Sequence, residues 1–134
     1  MKIINSNPPN IDELDSKFNI RGKPIIFTYG DIIYNPLNVF VSPELMSHEE
    51  VHSVRQTNDR ASIELWWEKY LIDPEFRLNE EVLAHRAEFK KYCETHKDRN
   101  NQNLFLNGIS QRLSSSMYGN MLTVNKARKK ITGG

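Results

Sequence analysis

The sequence lacks the features that define several large classes of protein. It has a single cysteine, Cys93, in 134 residues, so an internal disulfide is excluded and any metal site must use histidine and carboxylate ligands. No window approaches the roughly 20 apolar residues of a membrane span, and residues 1–9 lack the basic and apolar regions of a signal peptide. We therefore expect a cytoplasmic protein without a membrane partner.

An excess of charge of one sign is also missing. The formal net charge of +1 argues against nucleic acid as a partner, and we expect the basic stretch from Lys126 to Lys130 to be a solvated helix face. With 38% hydrophobic and 26% charged residues, the composition is that of an ordinary globular protein. The length suits one domain over residues 1–134, in which the polar residues 1–23 are predicted to form an N-terminal arm with one short helix near residues 11–18.

Local patterns predict an α+β fold that is mostly helical. The β-branched and aromatic run from Ile25 to Tyr29 and the run from Ile32 to Tyr34, separated by Gly30 and an aspartate, indicate a short β-hairpin. The first and third predicted helices begin with a capping residue followed by proline and glutamate. Helices are predicted over residues 43–56, 61–71, 74–95 and 104–113, and from residue 124 onwards.

The strongest chemical signal is the stretch from His48 to His52, which reads His-Glu-Glu-Val-His and fits the H-E-x-x-H pattern. Two histidines four residues apart lie on one face of a helix, where both imidazoles can bind the same metal ion. Glu49 lies beside them, in the position of a base that takes a proton from an activated water. The alternative is that the two histidines cap or line a core beside the nearby tryptophans.

A zinc site of this kind needs a third protein ligand from a separate element. The predicted helix over residues 74–95 offers one, because Glu81, His85 and Glu88 recur at three- and four-residue spacing and so share one stripe. A solvated helix face seldom needs a histidine at such a position. The stripe therefore supplies candidates for the third ligand.

These residues resemble the gluzincins, the zinc peptidases in which a second helix after H-E-x-x-H contributes a glutamate as third ligand. Glu81, which follows His52 by 29 positions, is the best match to that glutamate. The order of the motif, the Trp66-Trp67 pair and Glu81 is similar to that in small zincin-like proteins encoded by bacteriophages. The resemblance covers roughly residues 25–92.

The resemblance implies a minimal zincin-like fold, with a short sheet lying across the metal-bearing helices and an edge strand that holds an extended substrate. It also implies a zinc-dependent metallopeptidase, a hydrolase that acts on a peptide or protein. His48, His52 and Glu81 would be the metal ligands and Glu49 the catalytic base. Glu80 is a rival for Glu81, because larger members carry asparagine before the ligand and an acidic residue after it. Virion association is the expected alternative to the cytoplasm if the chain is phage-encoded.

Three further residues are candidates for supporting roles. Arg55 and Tyr118 can each donate a hydrogen bond to a developing oxyanion, and His85 is a candidate partner of the ligands or a substitute ligand. A structural role for Arg55 and Tyr118 is the alternative. For the whole chain, the alternative to a peptidase is a catalytically weak or inactive zincin-fold structural or interaction protein of a phage, in which the metal provides stability.

Overall fold

A computed structural model describes residues 1–115 and 119–133. The fold is α+β and mostly helical, as the sequence predicts. Tyr118 lies outside the described residues. Three short strands and six helices follow in the order β1 (Lys2–Ile4), α1 (Ile11–Phe18), β2 (Phe27–Tyr29), β3 (Ile32–Tyr34), α2 (Pro43–Gln56), α3 (Arg60–Ile72), α4 (Pro74–Thr95), α5 (Arg99–Leu113) and α6 (Val124–Thr132).

The strands form one sheet in the order β1-β3-β2. β2 and β3 are the antiparallel hairpin that the sequence predicts, and Gly30 forms its turn at φ +67°, where an added Cβ would lie 2.9 Å from Ile63 Cδ1. β1 pairs in parallel with β3, with Ile3 opposite Ile33. The N-terminal segment contains the predicted short helix, α1, and it is more than the predicted arm because it also contributes the strand β1.

The two helices that carry the motif residues start where side chains cap them. Ser42 Oγ accepts a hydrogen bond from Leu45 N at the start of α2 (3.1 Å), and Asp73 Oδ1 accepts from Glu75 N and Phe76 N at the start of α4. Proline occupies the first helical position in both. α5 begins at Arg99, five residues earlier than predicted from 104, because Asp98 caps it by accepting from Asn101 N.

Helix α4 lies between two apolar cores and packs against α2, α3, α5 and α6. We call them the N-terminal core and the C-terminal core. The N-terminal core comprises Leu14, Ile20, Phe27, Ile63, Trp66, Trp67 and Tyr70. The C-terminal core comprises Leu78, Val82, Leu106, Ile109, Leu113, Ala127 and Ile131. Between these cores, the faces that α2 and α4 turn towards each other carry histidines and glutamates.

No helix in the described part of the chain is long and apolar enough to cross a membrane.

Candidate metal centre

Helix α2 buries the two histidines and the first glutamate of its H-E-x-x-H stretch. His48, Glu49 and His52 are 5–7% exposed, and their metal-ligating atoms lie within 4.8 Å of one another. The helix is held against the sheet by Gln56, whose Nε2 donates to Thr28 O (2.9 Å) and whose Oε1 accepts from Gly30 N (2.7 Å). Burying three ionisable side chains on one helix costs stability unless they are paired or bind an ion.

Helix α4 supplies a carboxylate that meets both imidazoles. Glu81 Oε1 lies 3.2 Å from His48 Nε2, Glu81 Oε2 lies 2.9 Å from His52 Nε2, and the two Nε2 atoms are 3.2 Å apart. We call His48, His52 and Glu81, the three residues that the sequence resemblance implies as metal ligands, the ligand triad. Tyr70 Oη donates to Glu81 Oε2 at 3.1 Å, which fixes the orientation of that carboxylate.

The spacing of the ligand triad suits a small tetrahedral metal ion. Metal-to-ligand distances of ~2.0–2.1 Å place neighbouring ligand atoms of a tetrahedron about 3.3 Å apart. Four potential donor atoms lie close together: His48 Nε2 is 3.2 Å from His52 Nε2 and from Glu81 Oε1, and His52 Nε2 is 2.9 Å from the other oxygen, Glu81 Oε2. Two imidazole nitrogens and one carboxylate are also a donor set that zinc uses in proteins. The buried side chains of this centre can therefore hold a metal ion with little rearrangement.

The two adjacent glutamates that compete for the ligand position have different surroundings. Glu80 is 2% exposed and accepts hydrogen bonds from Trp66 Nε1 (2.6 Å) and from Arg55 Nε (2.6 and 2.8 Å). Of these two glutamates, Glu81 and not Glu80 contacts His48 and His52 among the described residues. Arg55, a candidate donor to an oxyanion, has its Nε engaged with Glu80 and does not contact the ligand triad.

A further carboxylate, Glu88, lies on the same stripe of α4, about two turns beyond Glu81. Its Oε1 is 2.9 Å from His48 Nδ1 and 2.9 Å from His85 Nδ1. Because an ionised carboxylate only accepts, both nitrogens donate to it. Glu88 thus orients the ring of His48 with Nε2 towards Glu81. His85 bonds Glu88 and packs edge-on against the ring of His48, with centroids 4.6 Å apart, and His48, His85 and Glu88 form a second group that could hold a metal ion. The sequence shows Glu88 on the same stripe, but no local pattern pairs it with His48, forty residues away.

In the metal-free chain, the histidines and glutamates of the centre stabilise one another's charged forms. Burial lowers the pKa of His48, but hydrogen bonds to Glu81 and Glu88 outweigh it and hold that pKa well above its usual value. Burial raises the pKa of Glu81, and the adjacent histidines more than reverse this and hold it well below its usual value. Burial also acts on Glu88, whose bonds to His48 and His85 lower its pKa to about 2. His48 is therefore an imidazolium between two carboxylates.

Glu49, His85 and one member of the ligand triad, His52, each have a buried atom without a hydrogen-bond partner among the described residues. Glu49 Oε2 and His85 Nε2 accept or donate no hydrogen bond within the described residues, and the same holds for His52 Nδ1. Burial raises the pKa of Glu49, and the positive charges of His48 and His52 oppose that rise. Burial lowers the pKa of His85, against the bond to Glu88. Glu49 is thus a carboxylate with a free oxygen and an increased proton affinity.

The centre forms the floor of a cavity of about 320 Å³, which we call the cleft. Its wall includes the ligand triad, Glu49 and the segment from Ile25 to Thr28, which leads into the edge strand β2. Most of the other wall residues are apolar, namely Leu14, Phe18, Pro24, Val39, Leu45, Trp66, Trp67 and Tyr70. A largely apolar cavity with a few convergent polar groups is typical of ligand-binding sites.

Comparison of the chain with protein-family models, with curated protein sequences and with solved structures found no match. The functional interpretation therefore depends on the geometry and chemistry of the side chains described above.

Proposed function

We propose that the chain is a zinc-dependent peptidase of a minimal gluzincin-like kind. His48, His52 and Glu81 hold the metal, and Glu49 is the catalytic base. The observation that carries the proposal is the convergence of two imidazole nitrogens and the two oxygens of Glu81, with contacts of 2.9–3.2 Å, beside a buried carboxylate with a free oxygen. The H-E-x-x-H spacing on α2 and the separate glutamate on α4 are also the arrangement that the sequence resemblance implies.

A zinc ion held by the ligand triad would acidify water and polarise a carbonyl group. Glu49 accepts the proton of the attacking water and delivers it to the leaving amine. Its raised pKa suits this exchange, because a base whose pKa is nearer neutrality both takes and returns a proton readily. Glu88 holds the ring of His48 in place, and Tyr70 does the same for the carboxylate of Glu81.

A peptide substrate fits the remaining features of the cleft. β2 is at the edge of the sheet, so the backbone that leads into it is available to pair with an extended chain. Gln56 already bonds Thr28 O and Gly30 N, and Ile25 N donates to Lys23 O, which leaves the backbone around Ile26 and Phe27 for a substrate. The apolar wall beside this segment supports a substrate with an apolar side chain near the scissile bond.

The first test is the zinc content of two isosteric variants at adjacent positions. Glu81→Gln replaces a ligand and is expected to lose the metal, whereas Glu80→Gln keeps the hydrogen-bond acceptor for Trp66 and is expected to retain about one zinc per chain, as in the wild type. Elemental analysis of the purified proteins measures both. A wild-type protein that binds no zinc, or equal zinc in both variants, contradicts the proposed ligand set.

The second test concerns the base. Glu49→Gln removes the proton acceptor and keeps the side chain's shape, so it is expected to keep zinc and to lower peptide hydrolysis by about 10²–10⁴-fold. A library of internally quenched peptides, incubated with the zinc-loaded wild type and the variant, measures the change. Equal cleavage by both proteins would exclude Glu49 as the base.

A structural metal site is the second candidate function. Its support is the nearly complete burial of the centre, because each member of the ligand triad is at most 7% exposed and the metal would join α2 to α4. In that case no peptide is cleaved, Glu49→Gln has no effect on function, and His48→Ala unfolds the protein. Thermal melting before and after chelation, recorded alongside the cleavage assay, separates the two candidates.

A further inference from the structure

A single permanently charged cation lies on the wall of the cleft. Arg112 is the only lysine or arginine among the described residues that line it. It belongs to the last turn of α5, next to Leu113, which is fully buried in the C-terminal core. The side chain of Arg112 is exposed. The fold therefore anchors a guanidinium group at the mouth of the cleft.

The charge of Arg112 has no partner within the described residues, 1–115 and 119–133. Other arginines of the same structure are engaged: Arg55 with Glu80, Arg77 with Tyr70 O, and Arg86 with Lys130 O. A guanidinium presents a fork of N–H donors that matches a carboxylate. Arg112 thus offers unused donors where a molecule entering the cleft would pass.

The interior of the cleft has the opposite charge. With a metal bound, His48 is neutral, and the divalent ion would offset only two of the three negative charges that Glu49, Glu81 and Glu88 carry when ionised. A carboxylate on a substrate is therefore repelled from the interior and attracted to the mouth. Arg112 does not contact the ligand triad, so it is placed to bind a group away from the reacting carbonyl rather than the oxyanion itself.

We propose that Arg112 is a specificity-determining residue that binds a carboxylate of the substrate, so that the preferred peptides carry a carboxylate a short distance from the scissile bond. The inference rests on the proposed peptidase function, because the metal centre defines the position of the scissile bond. The carboxylate belongs to an acidic side chain or to the C-terminus of the peptide.

The binding of small hydroxamates to the zinc-loaded full chain tests the inference without requiring turnover. The probes are alkyl hydroxamates of increasing length that end in a carboxylate, each matched by the corresponding carboxamide. At the length that spans the cleft, the carboxylate is expected to bind about fivefold more tightly than the carboxamide, as for an exposed ion pair. Calorimetric titration of the wild type, Arg112→Gln and Arg112→Lys measures the ratio.

In Arg112→Gln the preference is expected to disappear, while zinc content and carboxamide affinity stay unchanged; in Arg112→Lys part of the preference is expected to remain. Arg99→Gln is the matched control, since Arg99 is exposed on the same helix and does not line the cleft. A preference that survives in Arg112→Gln, or is absent from the wild type at every length, overturns the inference alone. Failure of every hydroxamate to bind shows that the proposed function itself is wrong, and the inference falls with it.

Cleavage of glutamate- and glutamine-containing peptides, each with a free or an amidated C-terminus, then identifies the source of the carboxylate. Dependence on glutamate in the amidated peptides assigns a side chain. Dependence on the free acid, whichever residue is present, assigns the C-terminus. A wild-type enzyme that cleaves all of these peptides equally contradicts the role of Arg112.

Discussion

The two surfaces of helix α4 differ in what they bury. The surface that faces α5 and α6 contributes Leu78 and Val82 to a core made of aliphatic side chains. The surface that faces α2 buries Glu81, His85 and Glu88, each at most 4% exposed. Apolar residues of similar volume would stabilise that second interface at least as well, because buried charges seldom repay the cost of their desolvation. The polar interface is therefore best explained by function, and the C-terminal core by folding.

The largest expected effect on stability comes from a substitution in the C-terminal core. Ile109→Ala removes a fully buried side chain and is expected to lower the free energy of unfolding by about 2–5 kcal/mol, measured by chemical denaturation. Zinc content and the stabilisation produced by added zinc are expected to stay as in the wild type, because Ile109 does not line the cleft. Loss of zinc from a folded Ile109→Ala protein would break the distinction between the two surfaces.

A change of pH is expected to affect the polar interface by a few kcal/mol. Glu88 has its pKa lowered from 4.5 to about 2 on folding, so its stabilising contribution is present above pH ~4.5 and is lost as the pH falls towards 2. His48 has its pKa raised from 6.5, so its contribution is present below pH 6.5 and is lost as the pH rises through the higher value of the folded chain.

Denaturation of the metal-free protein as a function of pH is thus expected to show maximal stability between pH ~4.5 and ~6.5. Bound zinc replaces the proton on His48, so the decline on the alkaline side should disappear in the zinc-loaded protein. Ile109→Ala should show the same pH dependence at a lower stability. An alkaline decline of equal size with and without zinc would contradict the placement of the metal at His48.

The smallest effect is expected from Glu88, which orients the ring of His48, and it concerns the affinity for zinc. Glu88→Gln keeps an oxygen near His48 Nδ1 but removes its charge, and is expected to weaken zinc binding by about 10–100-fold without abolishing it. Competition with a chromogenic chelator measures the affinity. Glu94→Gln on the same helix is the control, since Glu94 is exposed and pairs only with Lys91. Equal affinity in the two variants would show that Glu88 has no influence on the metal.

The parts of this structure that depend on near neighbours in sequence were predictable. The helix starts at Pro43 and Pro74 follow from caps within three residues, and the pairing of His48 with His52 follows from the geometry of one helical turn. The helical fraction and the hairpin from β2 to β3 follow from similar local patterns. The α+β class therefore required only local signals.

The remainder depends on contacts between residues far apart in the chain. β1 becomes a strand only because β3 lies beside it. The residues from Lys2 to Ile4 have no adjacent turn signal and no alternation of apolar and polar residues that would predict a strand. The choice between Glu80 and Glu81 depends on how α4 is rotated about its axis relative to α2. Neighbouring residues of a helix point in different directions, so only one of the two can face the histidines. The bond from Glu88 to His48 and the position of Arg112 at the cleft likewise arise from the packing of α4 and α5, which the linear sequence does not specify.

The side chain of Gln56 has a consequence for self-association. An exposed sheet edge is a template on which another copy of the same protein can add a strand. By bonding both Thr28 O and Gly30 N, Gln56 supplies the hydrogen bonds that such a strand would make, and it does so from within the same molecule. Its amide thus shields part of the β2 edge against intermolecular β-sheet growth, while the shorter stretch beside the cleft stays open to a single peptide.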